Sequence, residues 1–271
     1  MPELPEVESI AVSLRRGLRG LAISAIDLRR AALLRRGRPA DLKPLVGRAI
    51  TGVRRRGKHL IIEAGDRVLM FHLRMTGGFE WADPAAPDDR HTHLVLRFKE
   101  VRRELRFHDV RKFGFALCLP AAGVDSCPEI AVLGPEPLEI GLQEFQSRLK
   151  TRRGRLKSVL LDQTFVAGIG NIYADEMLFE SRIRPLVSAA RLSPARAARL
   201  WEAMRAVLSS AVAAGGSTVR NYRNADGEVG HFQENHKVYG RSGEACPACG
   251  APIRHRMIGG RSSHFCSRCQ I

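Results

Sequence analysis

Four cysteines near the end of the chain constrain its fold more than any other feature of the sequence. They follow the spacing Cys246-x2-Cys249-x16-Cys266-x2-Cys269, which is the paired arrangement of a four-thiolate zinc site. Because four thiolates leave no coordination position open, such a zinc is structural and takes no part in catalysis. Disulfides or an iron–sulfur cluster are the alternatives for the same four residues. The pattern predicts a small zinc-bound β-hairpin over residues 241–271.

The charge of the chain indicates a polyanionic partner. Its 271 residues include 44 lysines and arginines against 28 aspartates and glutamates, which gives a formal net charge of +16. An excess of this size favours nucleic acid over a membrane surface. No apolar run reaches the length of a membrane span, and the charged N-terminus lacks the apolar stretch of a signal peptide. We expect a cytoplasmic, nucleoid-associated protein whose cysteines are metal ligands or free thiols.

Hydrophobic patterning predicts an α+β protein with several domains. An apolar stripe at helical spacing predicts a helix over residues 5–18. Short β-prone runs follow it without intervening helices, over residues 22–28, 49–54, 59–63, 68–73, 93–98, 104–108 and 113–119. Such runs predict an antiparallel β-sandwich or barrel. We expect a sandwich with the N-terminal helix docked on it, over residues 1–120, and then a linker over residues 121–141.

The next part of the chain, residues 142–240, is expected to be helical. Apolar periodicity predicts helices over residues 143–149 and 155–161. A longer helix is expected to begin at Pro194, after a Ser193 N-cap, and to stop before Gly215. The polar, glycine-containing segment over residues 217–231 predicts a mobile loop.

The first residues of the chain contain a candidate nucleophile. Removal of the initiator methionine makes Pro2 the amino terminus. An α-amino group titrates near pH ~8 and a lysine near ~10.4, so roughly a tenth of the former is unprotonated at pH 7. Such an amine can attack a sugar or carbonyl carbon and form a Schiff base, and Glu3 is close enough in sequence to transfer the proton. The alternative is that the proline and glutamates only favour the first turn of a helix.

The opening PELPEVE resembles the N-terminus of formamidopyrimidine-DNA glycosylases, which excise oxidised purines. Similar segments follow in the family's order along the whole chain: RRGK at Lys58, HLRMTG at Met75, HDVRKFG at Arg111 and Phe113, VAGIGNIYADE at Asn171, and GGR at Arg261. The VAGIGNIYADE segment is highly specific, because it resembles the family's helix–two-turn–helix signature. The resemblance therefore implies a helix–two-turn–helix domain between the sandwich and the zinc hairpin.

The resemblance also implies a role for each matching residue. Lys58 and Arg261 would assist elimination and hold phosphates, beside the catalytic Pro2 and Glu3. The residues that fill the gap left by a flipped nucleotide would be Met75, Arg111 and Phe113. The other DNA contacts would be Glu6, His91, Arg153, Lys157 and Asn171. Judged alone, Met75 and Phe113 would more often be core residues, and Asn171 a simple helix cap.

The function implied by the resemblance is that of a bifunctional DNA glycosylase and abasic-site lyase. It would act through an N-terminal proline Schiff base and then by β,δ-elimination. Its partner would be duplex DNA with a damaged base or an abasic site, bound by a monomer with one structural zinc. The sister branch for oxidised pyrimidines usually begins PEGPE, whereas Leu4 stands here. A zinc-containing DNA-binding protein without catalysis is the other alternative, which the intact Pro2, Glu3, Lys58 and Arg261 disfavour.

Overall fold

The structure is a computed structural model that describes residues 1–87, 89–219 and 222–271. These residues form two compact units. Unit 1 contains residues 1–131 and 215–231, and unit 2 contains residues 132–214 and 232–271. The domain boundaries that we place from the sequence at residues 120, 141 and 240 remain predictions. Within the described ranges, no helix is both long enough and apolar enough to cross a membrane.

The centre of unit 1 is built from eight strands. They are β1 (Ile23–Leu28), β2 (Gly52–Arg56), β3 (His59–Ala64), β4 (Arg67–His72), β5 (Gly77–Ala82), β6 (Thr92–Phe98), β7 (Glu104–Asp109) and β8 (Phe115–Pro120). They form two antiparallel four-stranded sheets, with the orders β1-β6-β7-β5 and β2-β3-β4-β8. Apolar side chains from both sheets meet in one buried cluster. The predicted antiparallel sandwich is therefore confirmed.

Helix α1 (Leu4–Leu18) covers one side of this core. Val7, Ile10, Leu14 and Leu18 recur at helical spacing, and all four side chains are buried in the cluster that contains the sheet residues. The docked N-terminal helix that we predict from this stripe is confirmed. The helix starts only three residues after Met1, so its docking on the core also fixes the position of the amino terminus.

Strand β5 is not predicted from the sequence. Its residues are GGFEWA, and paired glycines weaken a strand because they lose the most backbone entropy and offer no side chain to pack. Both positions require glycine because neighbouring atoms come too close to leave room for a side chain. A Cβ on Gly77 would lie 2.5 Å from the Leu73 carbonyl oxygen, and one on Gly78 would lie 2.9 Å from the His108 ring. Pairing with β7, residue by residue from Gly77 to Ala82, holds the strand in place instead.

Unit 2 is mainly helical, as predicted. Helix α2 (Pro128–Ala131) ends the first segment of unit 1. Unit 2 contains α3 (Leu142–Thr151), α4 (Leu156–Leu161), α5 (Asn171–Glu180), α6 (Pro194–Ala213) and a hairpin of β9 (Arg254–Ile258) and β10 (Arg261–Phe265). Short 3-10 helices lie at Ala31–Leu33, Pro39–Leu45, Ala121–Gly123, Ala189–Arg191 and Phe232–Asn235. Helix α5 is buried from Ile172 to Phe179, so it is the element around which the unit packs.

We predict that Phe107→Ala and Phe113→Ala differ sharply in stability, although the two residues are six positions apart. Phe107 is fully buried against Phe71 and Phe79, whereas Phe113 is 54% exposed. The first change should lower the free energy of unfolding by about 3–5 kcal/mol, because it removes a buried ring and leaves a cavity. The second should change it by less than about 0.5 kcal/mol. Urea unfolding measures both, and equal losses would place Phe113 in the core.

Candidate active site and nucleic-acid interface

The amino terminus is fixed by a carboxylate of its own helix. Glu3 and Glu6 are 3% and 2% exposed, and Pro2 is half-buried beside them. The Glu3 backbone N–H donates to Glu6 Oε2 at 2.8 Å, which is the return bond of a capping box. Glu6 therefore caps the helix, which is the role expected if the proline and the glutamates only favour its first turn. The same bond also fixes the backbone next to the Pro2 nitrogen.

Glu6 also binds the segment that follows residue 214. Its Oε1 accepts the Ser217 N–H at 2.7 Å, and its main-chain oxygen accepts the Tyr222 hydroxyl at 3.0 Å. Gly216 has φ +85°, and a Cβ there would lie 2.7 Å from Glu6 Oε1, so the close approach requires glycine. Burial raises the pKa of Tyr222, which keeps its hydroxyl a donor. Part of the predicted mobile loop, residues 220 and 221, lies outside the described residues.

Lys58 lies in the tight turn between β2 and β3 and is only 6% exposed. Next to it, His59 and His72 face each other across β3 and β4, with ring centroids 4.8 Å apart. Burial lowers the pKa of His59 to about 4, and burial together with the neighbouring His59, Arg74 and Lys58 lowers that of His72 to about 2. Both rings are therefore neutral at pH 7.

The neutral histidine pair is a feature that the sequence analysis missed. The Arg74 N–H donates to His72 Nδ1 at 3.1 Å, so the neutral ring carries its proton on Nε2. The His72 ring stacks on Phe115, and the Arg35 guanidinium lies 3.6 Å from the centre of the same phenyl ring. His72 opens the HLRMTG segment and His59 directly follows RRGK, but only the strand register brings the two rings together. The result is a pair of neutral, largely buried imidazoles directly beside the buried Lys58.

The three predicted gap-filling residues share one end of a sheet. Met75 precedes β5, while Arg111 and Phe113 follow β7, the strand that pairs with β5. Met75 is 40% and Phe113 is 54% exposed, so neither is a core residue. The Arg111 guanidinium lies 4.7 Å from the centre of the Phe113 ring. These residues therefore form one exposed cluster of an apolar side chain, an aromatic ring and a cation.

His91 lies in the loop before β6 and is half-buried. Its N–H donates to Asp89 Oδ1 at 3.0 Å, and Arg90 Nε is 3.2 Å from its Nε2. The loop therefore holds the His91 ring beside the Arg90 guanidinium.

In unit 2, Asn171 is the first residue of α5, and Gly170 is the N-cap. The simple N-cap interpretation of Asn171 is therefore wrong. Among the described residues, its Oδ1 has no hydrogen-bond partner. The first N–H groups of a helix and the positive end of its dipole favour an anion. Arg153, just before α4, is exposed.

Lys157 is the exception among the predicted DNA contacts. Its side chain is fully buried, and its ammonium donates to Asp175 Oδ1 and to the Ser262 carbonyl oxygen, both at 2.6 Å. This corrects the prediction of a phosphate contact, because the charge faces a carboxylate inside the unit. The sequence does not reveal that Lys157 contacts Asp175 or Ser262, because these partners lie 18 and 105 residues away along the chain.

The same carboxylate holds the hairpin that carries Arg261. Asp175 Oδ2 accepts the His264 N–H at 2.9 Å and lies 3.1 Å from its ring Nδ1. At the turn, Gly259 has φ +56°, and a Cβ there would lie 2.7 Å from Ser158 Oγ. Arg261 is exposed at the start of β10. A buried ion pair between α4 and α5 thus positions an exposed arginine.

The four cysteines of the hairpin fit a zinc ion. Their sulfur atoms all lie within 4.8 Å of one another, and the pairs Cys246–Cys269 and Cys249–Cys266 are 3.8 and 3.5 Å apart. Tetrahedral zinc with Zn–S bonds of ~2.3 Å requires sulfur separations of ~3.8 Å. All four are free thiols, so the disulfide alternative is excluded. The set of four leaves no ligand position for a substrate.

Comparisons with known protein families match almost the whole chain. Residues 1–116 match the formamidopyrimidine-DNA glycosylase N-terminal domain, and residues 133–223 match the H2TH domain of the same enzymes. Residues 243–271 match a zinc finger found in FPG and IleRS. This last match and the four clustered sulfur atoms confirm one structural zinc.

Individual relatives agree over their full length. The chain is 41% identical to a formamidopyrimidine-DNA glycosylase of Listeria monocytogenes, with 100% of both chains covered. It is 44% identical to one of Solibacter usitatus, covering 100% of this chain and 99% of the relative.

Solved structures of the same enzymes are similar to this chain in fold. A complex between Lactococcus lactis Fpg and abasic-site DNA matches with a TM-score of 0.92 at 36% identity, covering 99% of each chain. The MutM (FPG) protein of Thermus thermophilus matches with a TM-score of 0.89 at 42% identity, covering 99% of this chain and 98% of the other.

We predict that Lys157→Met destabilises the protein by about 3–5 kcal/mol, because it leaves the Asp175 carboxylate buried without its cation. The matched control is Lys150→Met on α3, whose exposed side chain should matter by less than about 0.5 kcal/mol. The double change Lys157→Met with Asp175→Leu should recover part of the loss. Urea unfolding measures all three, and a loss below about 1 kcal/mol for Lys157→Met would show that the pair is dispensable.

We predict one zinc per chain, lost in Cys266→Ser and retained in Cys118→Ser. Cys266 is a buried member of the four-sulfur cluster, whereas the Cys118 thiol donates to the Asp41 carbonyl oxygen at 3.2 Å in unit 1. Elemental analysis of both variants and of the parent measures the metal. A parent protein without zinc, or a Cys266→Ser variant that keeps it, would contradict the assignment.

Proposed function

Since this chain belongs to the formamidopyrimidine-DNA glycosylase family, we propose that it removes oxidised purines, such as 8-oxoguanine and formamidopyrimidines, from duplex DNA and then cleaves the abasic site. The observation that carries the proposal is the amino terminus, where Pro2 precedes a buried Glu3 whose N–H is held by Glu6 at 2.8 Å. A terminal amine held next to a buried carboxyl group is the equipment that Schiff-base chemistry on a sugar needs. The protein would act in the cytoplasm, on the DNA of the nucleoid.

In the reaction we propose, the Pro2 nitrogen, free once the methionine is removed, attacks the sugar C1′. The bond from C1′ to the base breaks, and the base leaves with the electron pair and takes up a proton. Glu3 gives and takes protons at the sugar as its ring opens. The resulting iminium makes C2′ acidic, so loss of a C2′ proton expels the 3′ phosphate, and a second elimination expels the 5′ phosphate. Lys58 and Arg261 assist these eliminations and hold the phosphates.

The damaged base has to leave the stack before C1′ can be reached, and extrusion costs a few kcal/mol. Met75, Arg111 and Phe113 would occupy the gap that remains. Support for this role comes from their exposure at one sheet end, since a buried side chain cannot enter a duplex. The guanidinium of Arg111 can donate to acceptor atoms on the orphaned base.

Phosphate contacts would come from Arg153, His91 and the N-terminus of α5 at Asn171. These contacts position the duplex but carry no information about the lesion. The net charge of +16 supplies the sequence-independent part of the affinity. Glu6 would contact the flipped nucleotide through the carboxylate that also binds Ser217. The named relatives are enzymes for formamidopyrimidines, which favours the purine branch over the pyrimidine branch.

We predict that borohydride reduction during turnover links the protein to lesion DNA through Pro2, and that an N-terminal extension abolishes the link. The matched control is the same extended protein after a protease has removed the extension and left Pro2 first. Trapping and strand cleavage should return, because only the amine has changed. Denaturing gels with labelled 8-oxoguanine DNA measure both. Full cleavage by the uncut extended protein would refute the nucleophile.

A further inference from the structure

One fully buried carboxylate joins the two loops that carry the exposed cluster of Met75, Arg111 and Phe113. Asp109 is the last residue of β7 and is 0% exposed. Its Oδ1 accepts the Thr76 hydroxyl and, at 3.2 Å, the Arg111 N–H. Its Oδ2 accepts the Gly114 N–H at 2.6 Å. The side chain therefore binds the loop before β5 and both ends of the loop after β7.

Both loops need such an anchor, because each contains a residue in the left-handed backbone region. Arg74, beside Met75, has φ 55°, and Lys112, between Arg111 and Phe113, has φ 58°. Residues other than glycine adopt this conformation at a cost, and they persist there only when the surroundings hold them. Hydrogen bonds to an ionised acceptor are stronger than those between neutral groups, so the carboxylate is suited to hold both strained turns.

The packing around Asp109 is built for close approach. A Cβ on Gly114 would lie 3.0 Å from Asp109 Oδ2 and 3.1 Å from the Phe107 ring. The Thr76 hydroxyl also accepts the Arg111 N–H at 3.1 Å, which adds a second bridge between the loops. The main-chain oxygen of Asp109 lies 2.8 Å from His93 Nε2. Every polar atom of Asp109 named here is thus engaged inside the protein.

We propose that Asp109 is a positioning residue, which sets the arrangement of Met75, Arg111 and Phe113 before DNA binds. The proposal rests on the proposed function, in which these three residues fill the gap behind a flipped base. A cluster already held in the filling arrangement loses little freedom on insertion, so the flipped state forms more readily. Asp109 itself touches neither the base nor the sugar and acts only through the loops.

The test is Asp109→Asn, which keeps the shape but replaces one acceptor oxygen by a donor that faces an N–H or a hydroxyl. Single-turnover excision of 8-oxoguanine opposite cytosine should fall between about tenfold and a hundredfold, as small misplacements do. Cleavage of a preformed abasic site needs far less extrusion, so it should fall less than about threefold. Discrimination between opposite cytosine and adenine should weaken, because Arg111 is no longer fixed.

Matched variants separate positioning from stability. Thr76→Val removes one contact and should show the same selective pattern more weakly, while Thr76→Ser keeps the hydroxyl and should restore the parent rates. Asp66→Asn, with a side chain 67% exposed, should change neither rate. Urea unfolding of each variant shows whether a loss follows stability. The Thr76 pair still tests the proposal if Asp109→Asn does not fold.

Two outcomes would overturn the proposal. Equal losses of excision and abasic-site cleavage would mean that Asp109 only supports the fold. Unchanged excision in Asp109→Asn, with a loss in Phe113→Ala, would mean that the cluster needs no such anchor, although the proposed function would stand. A parent protein that excises no base and cleaves no abasic site would instead reject the proposed function.

Discussion

A buried carboxylate that accepts backbone N–H groups is the interaction on which several of the functional segments depend. Glu6 holds the N–H groups of Glu3 and Ser217, and Asp109 holds that of Gly114. In unit 2, Asp175 holds that of His264, and Glu176 accepts three in a row, from residues 237, 238 and 239. Loops have few partners of their own, and a charged acceptor satisfies two or three donors at one point. The carboxylates therefore give irregular segments the fixed geometry that sheets and helices have by themselves.

This use of acidic residues also explains why a strongly basic chain keeps a positive surface. Among the residues that the structure describes, six carboxylates are buried, on Glu3, Glu6, Glu104, Asp109, Asp175 and Glu176, but only three strong cations, on Lys58, Arg106 and Lys157. More acidic than basic groups are thus withdrawn from solvent, which leaves the excess of arginine and lysine outside. Burial raises the pKa of Glu176, although three backbone N–H groups act in the opposite direction. The raised pKa shows that taking this carboxylate out of water has a cost that backbone hydrogen bonds offset only in part. A surface of this kind attracts phosphates before any specific contact forms.

Features carried by local pattern could be predicted from the sequence, and features made by distant pairing could not. The docked helix and the zinc cysteines follow from spacing alone, and the structure has both. The short strands predict an antiparallel sandwich or barrel, and the structure has the sandwich. Strand β5 was missed because its glycines serve close approach, which composition does not reveal. Lys157 was misplaced because its partner Asp175 lies on another helix. The pairing of His59 with His72 depends on the register between β3 and β4, which no sequence motif reveals. Exposure of Phe113 likewise depends on where β8 begins, two residues later than the apolar run.

The exposed residues of the site have little packing to orient them, so their directions come from the backbone beneath. Phe113 and Arg261 project from turns, and the atoms that fix those turns belong to Asp109 and to the Lys157–Asp175 pair. Gap filling and phosphate binding require placement within a fraction of an ångström. A substitution in the anchors should therefore disturb the chemistry while leaving every contacting side chain present. The reverse also holds, because an exposed side chain can change without disturbing the turn that carries it. The dependence therefore runs in one direction: the exposed side chains can vary without disturbing the anchors, but the anchors cannot vary without displacing the exposed side chains.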